Sequence, residues 1–519
     1  MNDVLATLSP TLSSRRAPPP GGPRRHRRLW LGSTSLAGAA VLLLAGCTSL
    51  PALERPVAPV PAAWATPTPV ATASAASAQT ADGAWWLAFN DPVLPEVLEA
   101  AWRASPDREA ARARVAQARA AAVAAGASTL PRLDASGQLL RQRAVPDTPA
   151  QSSLALGVQA SWELDLFGGV GAAAQAASSR LQASEAEAHA VRQAVAAEAA
   201  TQWLSLRACR TLAAQAQADA ESRAASARLT ALTASAGLAA PADAALARAA
   251  AAQAQASARA QVAQCESAAQ ALQALTAWPA ATLRERMASV DVHGPLPAPR
   301  IAPLGTLPAA LLAQRPDLRA REAEVQAAAG DRSAAQAAQR PRVVLSGSLS
   351  GARLQGAGLD ARGPVWSLGP LQVSLPLFDG GALSAQADAS RAGYDAAVAR
   401  YQAAVRQAVA EVEQALLALD STAAREGDAR VAVEGFAERL RATEARVRGG
   451  LASGFELEDA RQTALSAQGA LTALQLERAL AWVNLARALG GDWQPRDAAA
   501  TAATTPVSGS APRPVPSGS

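Results

Sequence analysis

The chain has no lysine: all 48 of its basic side chains are arginine. Aromatic residues make up only 3% of 519, alongside 3 histidines, 3 cysteines and 2 methionines. These scarcities exclude functions. His26, His189 and His293 are scattered, and no Cys/His group has metal-ligand spacing. Glycine-rich stretches lack the Lys-Ser/Thr pair of a phosphate loop, so no cofactor, metal or catalytic constellation is expected. The formal charge of +5 is carried by the first 46 residues, where six arginines (Arg15, Arg16, Arg24, Arg25, Arg27, Arg28) face Asp3. The rest of the chain is charge-balanced, which removes any electrostatic argument for nucleic acid as a partner.

What is abundant is alanine. Hydrophobic content is 50% with almost no aromatic share, a mixture that favours long, closely approaching helices over a bulky core. One stretch departs from this pattern. From Ser152 to Gly169 the residues Leu154, Leu156, Val158, Ala160, Trp162, Leu164 and Leu166 alternate with small or polar side chains. Such a segment is apolar on one face and polar on the other, and at about 3.3 Å per residue it is long enough to cross a bilayer obliquely.

The N-terminus has the form of an export signal. An Arg-rich region ends at Arg28, an apolar run covers Leu29 to Leu44, and Leu44-Ala45-Gly46-Cys47 follows directly. This resembles a bacterial lipobox, which implies cleavage of residues 1–46 and lipidation of Cys47. Thr48 at the next position favours sorting to the outer membrane. Residues 47–81, mostly Pro, Ala, Thr and Ser, are expected to be a tether. Residues 494–519, of similar composition, are expected to be a disordered tail.

Between them the sequence repeats. Ser105-Pro106-Asp107-Arg108 returns as Arg315-Pro316-Asp317-Leu318, and Leu130-Pro131-Arg132-Leu133 returns at the same offset as Arg340-Pro341-Arg342-Val343. Pro then Asp opens a helix well, and the second Pro ends it. An alternating segment follows in each half, then a polar loop and a second alternating segment, predicting strands at about 131–142, 152–167, 341–353 and 365–378. Pro370 and Pro376 are tolerable there only at an edge, a bulge or a strand end. Gly pairs after Phe167 and Phe378 mark the change to helices running from Gly169 to Ala236 and from Gly381 to about Arg448, each roughly 100 Å if continuous. Each turns at glycine and returns, over about 241–276 and 456–489. The halves are thus set at 82–290 and 291–493. Four strands cannot close a barrel, and open edges are forbidden in lipid, so several copies must pool their strands.

Cys209 and Cys265 fall at equal distances on either side of Gly237, the glycine of the first turn. Two antiparallel helices would bring them level. In an oxidising periplasm this makes a disulfide possible, the alternative being two buried thiols.

Several motifs together carry a resemblance: Trp85-Trp86 with Phe89-Asn90-Asp91-Pro92, Arg315-Pro316-Asp317, Trp162-Glu163-Leu164-Asp165-Leu166-Phe167-Gly168, and Leu375-Pro376-Leu377-Phe378-Asp379-Gly380-Gly381. To these are added Gly454 with Leu457, Asp459 and Ala460, and Val483-Asn484-Leu485 with Ala488-Leu489-Gly490-Gly491. The chain resembles the TolC-like outer-membrane efflux channels in their lipoprotein, NodT-like branch, over about residues 82–493. The resemblance implies a mainly α fold with β strands: two structural repeats, a long periplasmic α-helical barrel, and a trimeric transmembrane β-barrel to which each subunit gives four strands. It implies a passive conduit for drugs or other small molecules in a tripartite efflux pump, working as a homotrimer with a periplasmic adaptor (membrane fusion) protein and an inner-membrane pump. The expected location is the outer membrane, anchored in its lipid and extending into the periplasm. The resemblance also assigns Glu456 and Asp459, three apart on one helix face, to the periplasmic aperture. With three subunits these would form a ring of carboxylates favouring cations. The competing readings are a periplasmic adaptor or structural coiled-coil lipoprotein, which would lack the membrane strands, and the exit duct of a protein secretion system.

Overall fold

The computed structural model describes residues 60–61, 63–66, 84–143, 150–291, 296–297, 299, 312–356 and 359–491. The chain divides into two units, Met1–Ala52 and Leu53–Ser519, and every described residue belongs to the second. Cys47, the leader and the residues after 491 lie outside the described residues.

A 3-10 turn, Trp85–Phe89, leads into helices α1 (Leu94–Ala104) and α2 (Pro106–Ala127), then the hairpin β1 (Arg132–Gln142) and β2 (Gln151–Leu164), then α3 (Gly169–Ser235) and α4 (Pro241–Thr276). After the short α5 (Ala280–Ala288) the pattern recurs as α6 (Pro316–Ala337), β3 (Arg342–Gly356), β4 (Leu359–Ser374), α7 (Ala382–Arg448) and α8 (Gly454–Ala488). The rods α3 and α7 are each 67 residues, about 100 Å long. Local chemistry sets their starts. The Asp165 carboxylate accepts from Gly171 N at 2.7 Å, and Asp379 accepts from Gly381 N at 2.9 Å and Leu383 N at 2.7 Å. A carboxylate therefore faces the positive end of each rod. Gly168 and Gly381, with φ of 72° and 92°, make the left-handed corner between strand and rod.

The four strands form one antiparallel sheet in the order β1-β2-β3-β4. Residues paired directly across strands share a face, so the register defines rows. Nearest the hairpin loops, one face has Arg141, Ser152, Gln355 and Asp360 in a row, then Leu139, Leu154, Arg353 and Arg362. Below these come Gly137, Leu156, Gly351 and Pro364, then Ala135, Val158, Leu349 and Trp366, then Leu133, Ala160, Gly347 and Leu368. The opposite face has Leu140, Ser153, Leu354 and Ala361 near the loops, and below them Ser136, Gly157, Ser350 and Val365, then Asp134, Gln159, Ser348 and Ser367. One side is thus apolar below its charged rim, and the other is mostly small and polar, with Leu140, Leu354 and Val365 toward the loop end.

β4 differs from its expected span. It begins at Leu359 because Arg353 chelates Asp360 across the strand pair, at 3.1 and 2.8 Å, holding together a stretch with no hydrophobic alternation. It ends at Ser374, before Pro376. Pro370 sits in a bulge: Leu345 faces Leu371 and Gly347 faces Leu368, which leaves Ser346 opposite both Gly369 and Pro370.

Bulky side chains concentrate at one level, where α1, α3, α4, α7 and α8 meet around Trp203, Phe89, Leu98, Leu272, Val412 and Leu485. Buried Asp91 locks this level, accepting from Trp203 Nε1 at 2.8 Å, Arg207 Nη1 at 2.6 Å and Val93 N at 2.9 Å. Arg315 joins the start of α6 to the end of α8: it donates to Ala488 O at 3.0 Å and pairs with Asp317 and Glu411, both at 2.8 Å. Burial raises the pKa of Asp317, yet the hydrogen bond and charge of Arg315 outweigh it and hold the carboxyl below its ordinary value.

Part of the expected tether is docked. Ala65 N and Thr66 N donate to the two carboxylate oxygens of Glu413 on α7, at 2.6 and 3.0 Å. Val60 and Trp64 pack against the hydrophobic clusters beside it. Two apolar anchors and one carboxylate are enough to seat a segment whose composition alone argues against a core.

Candidate functional site

The membrane-facing element is the sheet. Leu139 is 77% exposed, Leu156 61%, Trp366 74% and Leu368 83%, a contiguous apolar face of the kind that marks contact with a membrane or a partner. The strands are 11 to 16 residues long, sufficient to cross a hydrocarbon layer at the tilt of a barrel wall. At the end nearest the helices, Trp162 Nε1 donates to Thr129 O at 3.1 Å, and Phe167 and Phe378 stand exposed, as aromatic side chains do at a membrane interface. The outer edges of β1 and β4 have no strand partner among the described residues.

At the far end of the rods, each hairpin turns through a left-handed glycine, Gly237 at φ 71° and Gly450 at φ 70°. Glu456 lies in the first turn of α8, which is capped by Ser453: its Oγ accepts from Glu456 N at 3.2 Å. The two acids assigned to the aperture are each paired within the hairpin. Arg446 Nη1 is 3.4 Å from Glu456 Oε2, and Arg439 Nη2 is 2.7 Å from Asp459 Oδ2. All four side chains are at least half exposed, so each pair contributes under about 1 kcal/mol. Each acid thus carries its own counter-charge from α7. On the other hairpin, Asp243 has no ion-pair partner among the described residues and stands in the first turn of α4.

The hairpins are locked by residues that sequence reasoning missed. Glu458, between the two aperture acids, turns inward and is 5% exposed; it accepts from Ser222 Oγ of α3 at 2.5 Å and from Arg461 Nη1 at 2.9 Å. Gln462 reaches Ser222 and Ser226 at 3.5 and 3.4 Å. The i, i+4 pairs Ser222/Ser226 and Glu458/Gln462 are the signal that could have found this contact. A Cβ on Gly454 would lie 2.9 Å from Leu229 Cδ1, so glycine there permits the close approach of α8 to α3. Higher up, Cys209 of α3 and Cys265 of α4 are joined by a disulfide with Cα atoms 5.6 Å apart, and Gln261 Nε2 lies 3.3 Å from Cys209 Sγ.

Among the described residues no group of His, Cys, Asp and Glu could hold a metal ion. A two-faced sheet, unpaired at both edges and rooted on helical rods of about 100 Å, defines a membrane-embedded conduit. The comparisons agree with that class. The family model described as "Outer membrane efflux protein" matches residues 97–277 and 307–491, and the chain belongs to that family. It is 32% identical over 470 residues to the pyoverdine export outer membrane protein OpmQ of Pseudomonas aeruginosa, covering 88% of this chain and 96% of that one. It is 29% identical to the toluene efflux pump outer membrane protein TtgI of Pseudomonas putida, covering 88% and 98%. The open-state structure of the Neisseria gonorrhoeae MtrE outer membrane channel superposes with a TM-score of 0.69 at 25% identity, covering 86% and 98%. The TolC-like fold and the efflux-channel class expected from the sequence are therefore established. The protein is an outer-membrane efflux channel and not an enzyme.

Proposed function

We propose that the mature chain is a lipid-anchored homotrimer in which three four-stranded sheets close one barrel, with the hairpin loops outside the cell and the rods in the periplasm. The observation that carries this reading is the sheet itself, whose apolar face is exposed and whose edges have no partner among the described residues of one chain. Unsatisfied edges are untenable in hydrocarbon, and a closed ring of identical copies removes them. The anchor is Cys47, from the lipobox-like Leu44-Ala45-Gly46-Cys47. Residues 82–290 and 291–493 act as two repeats of one wall. The hairpin tips meet a periplasmic adaptor, which couples the conduit to an inner-membrane pump. Glu456 and Asp459 line the aperture, and splaying of the α7–α8 hairpin opens it. Relatives named for pyoverdine and for toluene share the architecture, which supports a conduit whose cargo is set by the partner pump.

Native mass spectrometry of the detergent-purified protein tests both parts. Three copies per particle, each beginning at an acylated Cys47, is the expected result. Single copies would overturn the shared barrel, and an unmodified Cys47 or retained residues 1–46 would overturn the anchor.

A further inference from the structure

The charged side chains of the apolar face form a rim at its loop end, Arg141 and Asp360 in one row and Arg353 and Arg362 in the next. Arg353 of β3 and Arg362 of β4 are paired directly across the strands, on the same face as Leu154 and in the second row from the hairpin loops. Like charges directly opposite one another destabilise a strand pair. Asp360 answers only one of them: it chelates Arg353, and both side chains are 51% exposed. Arg362 is exposed and has no ion-pair or hydrogen-bond partner among the described residues. The two arginines border a shallow, open groove of about 440 Å³, lined also by Leu154, Leu156, Gly351, Ala352 and Gly363. Its floor is low because Gly351 has no side chain; a Cβ there would meet nothing closer than Leu156 O at 4.0 Å.

The level of this feature follows from strand geometry. From Arg353 down to Val343, at the helix end of β3, the strand rises roughly 33 Å, which at a barrel tilt near 40° is about 25 Å of height. The two arginines therefore stand at one boundary of the apolar band, where lipid headgroups lie. A cationic rim over an apolar groove is complementary to an anionic amphiphile: the guanidinium fork suits phosphate, and the groove suits a hydrocarbon chain.

We propose that Arg353 and Arg362 bind the phosphate of a phosphorylated glycolipid of the outer leaflet, with one of its acyl chains lying in the groove over Gly351. The inference rests on the orientation proposed above, with the hairpin loops outside. The lipid phosphate supplies a counter-charge that the described residues of the same chain do not give Arg362, and relieves the repulsion across β3 and β4.

The test is a lipid titration of the detergent-purified full-length protein by native mass spectrometry. The probes are a bisphosphorylated, acylated glucosamine disaccharide, the same lipid without its phosphates, and inorganic phosphate. The wild type should bind the phosphorylated lipid at least about tenfold more tightly than the dephosphorylated one, the discrimination expected of one charge-assisted hydrogen bond. The double variant Arg353→Gln with Arg362→Gln should lose that discrimination. Gly351→Leu, whose Cβ would meet nothing closer than Leu156 O at 4.0 Å, should weaken both lipids while keeping the preference for phosphate. Equal affinity for the two lipids in the wild type, or a double variant that still discriminates, would overturn the proposal. Displacement of the lipid by equimolar inorganic phosphate would also overturn it, because the site would then be one for a free anion. Single-channel conductance of the same preparations reports on the conduit reading by itself, so failure of one is not mistaken for failure of the other.

Discussion

Replacing Glu426 by Gln removes a charge from inside the α7–α8 hairpin. The side chain is 4% exposed and accepts from Arg430, one turn along α7, at 2.6 Å and from Arg478 of α8 at 2.7 Å. Losing one partner of a fully buried ion pair costs about 3–5 kcal/mol, whereas an exposed pair contributes under about 1. Here the acid is buried, but Arg430 is 56% and Arg478 26% exposed, so both cations can turn toward water. An intermediate cost of about 2 kcal/mol follows. Because unfolding of a large oligomeric membrane protein is not two-state, the effect is best read locally, by amide hydrogen exchange. Peptides covering 420–432 and 472–484 should exchange roughly thirtyfold faster in the variant, the factor equivalent to about 2 kcal/mol. The effect has a pH signature. Burial pushes the Glu426 carboxyl up, but the hydrogen bonds of Arg478 and Arg430 outweigh it and hold the pKa below the ordinary value. A carboxyl lowered on folding contributes stability that is complete above its unfolded pKa, near 4.3, and is lost as pH falls through the folded value. The difference between wild type and variant should therefore be constant between about pH 6 and 8 and shrink in acid. A change smaller than about threefold at neutral pH, or one spread evenly over both hairpins, would refute the reasoning.

The remaining predictions concern the two hairpins. In non-reduced, denatured protein neither Cys209 nor Cys265 should take up a thiol reagent, and Cys265→Ser should weaken the α3–α4 hairpin by about 2–4 kcal/mol. Free thiols at both positions would refute the bond. Glu456→Ala with Asp459→Ala leaves Arg446 and Arg439 without their partners, so single-channel recordings should show ion preference moving toward anions. Exposed pairs contribute little stability, so the double variant should fold normally; unchanged selectivity and conductance would end the aperture assignment.

Much of this architecture is legible because it is periodic. The doubled proline spacing that starts at Pro106 and Pro316 sets out two repeats, and the alternation through Trp162 identifies a two-faced strand. Gly168, Gly237, Gly381 and Gly450 mark the corners, because each needs a left-handed backbone. What was not legible depends on pairs distant in sequence. The start of β4 rests on the cross-strand pair Arg353–Asp360, which hydrophobic alternation does not report. Glu413 holding Ala65 and Thr66 joins residues nearly 350 positions apart, so composition alone reads that segment as unattached. At the tip, the faces of Glu456 and Asp459 could be read from their spacing, but their partners Arg446 and Arg439 lie across the turn and emerge only once the register of α7 against α8 is known. Glu458 lies between them in the same run, and only the proximity of α3 turns it inward.

The way the chain is threaded through its sheet has a consequence for biogenesis. β1 pairs with β2 and β3 with β4 across short loops, but the seam between β2 and β3 joins Ser152 to Gln355, roughly 200 residues later. Each hairpin can form early and cheaply, whereas closing that seam carries the entropy of a very long loop unless α3, α4 and α6 have already packed. The helical part must therefore mature first, in water, and present two finished hairpins side by side. The sheet is the last element to become whole, and until then its apolar face needs shelter from water, so this protein should depend on a periplasmic holdase more heavily than a barrel whose neighbouring strands are all neighbours in sequence.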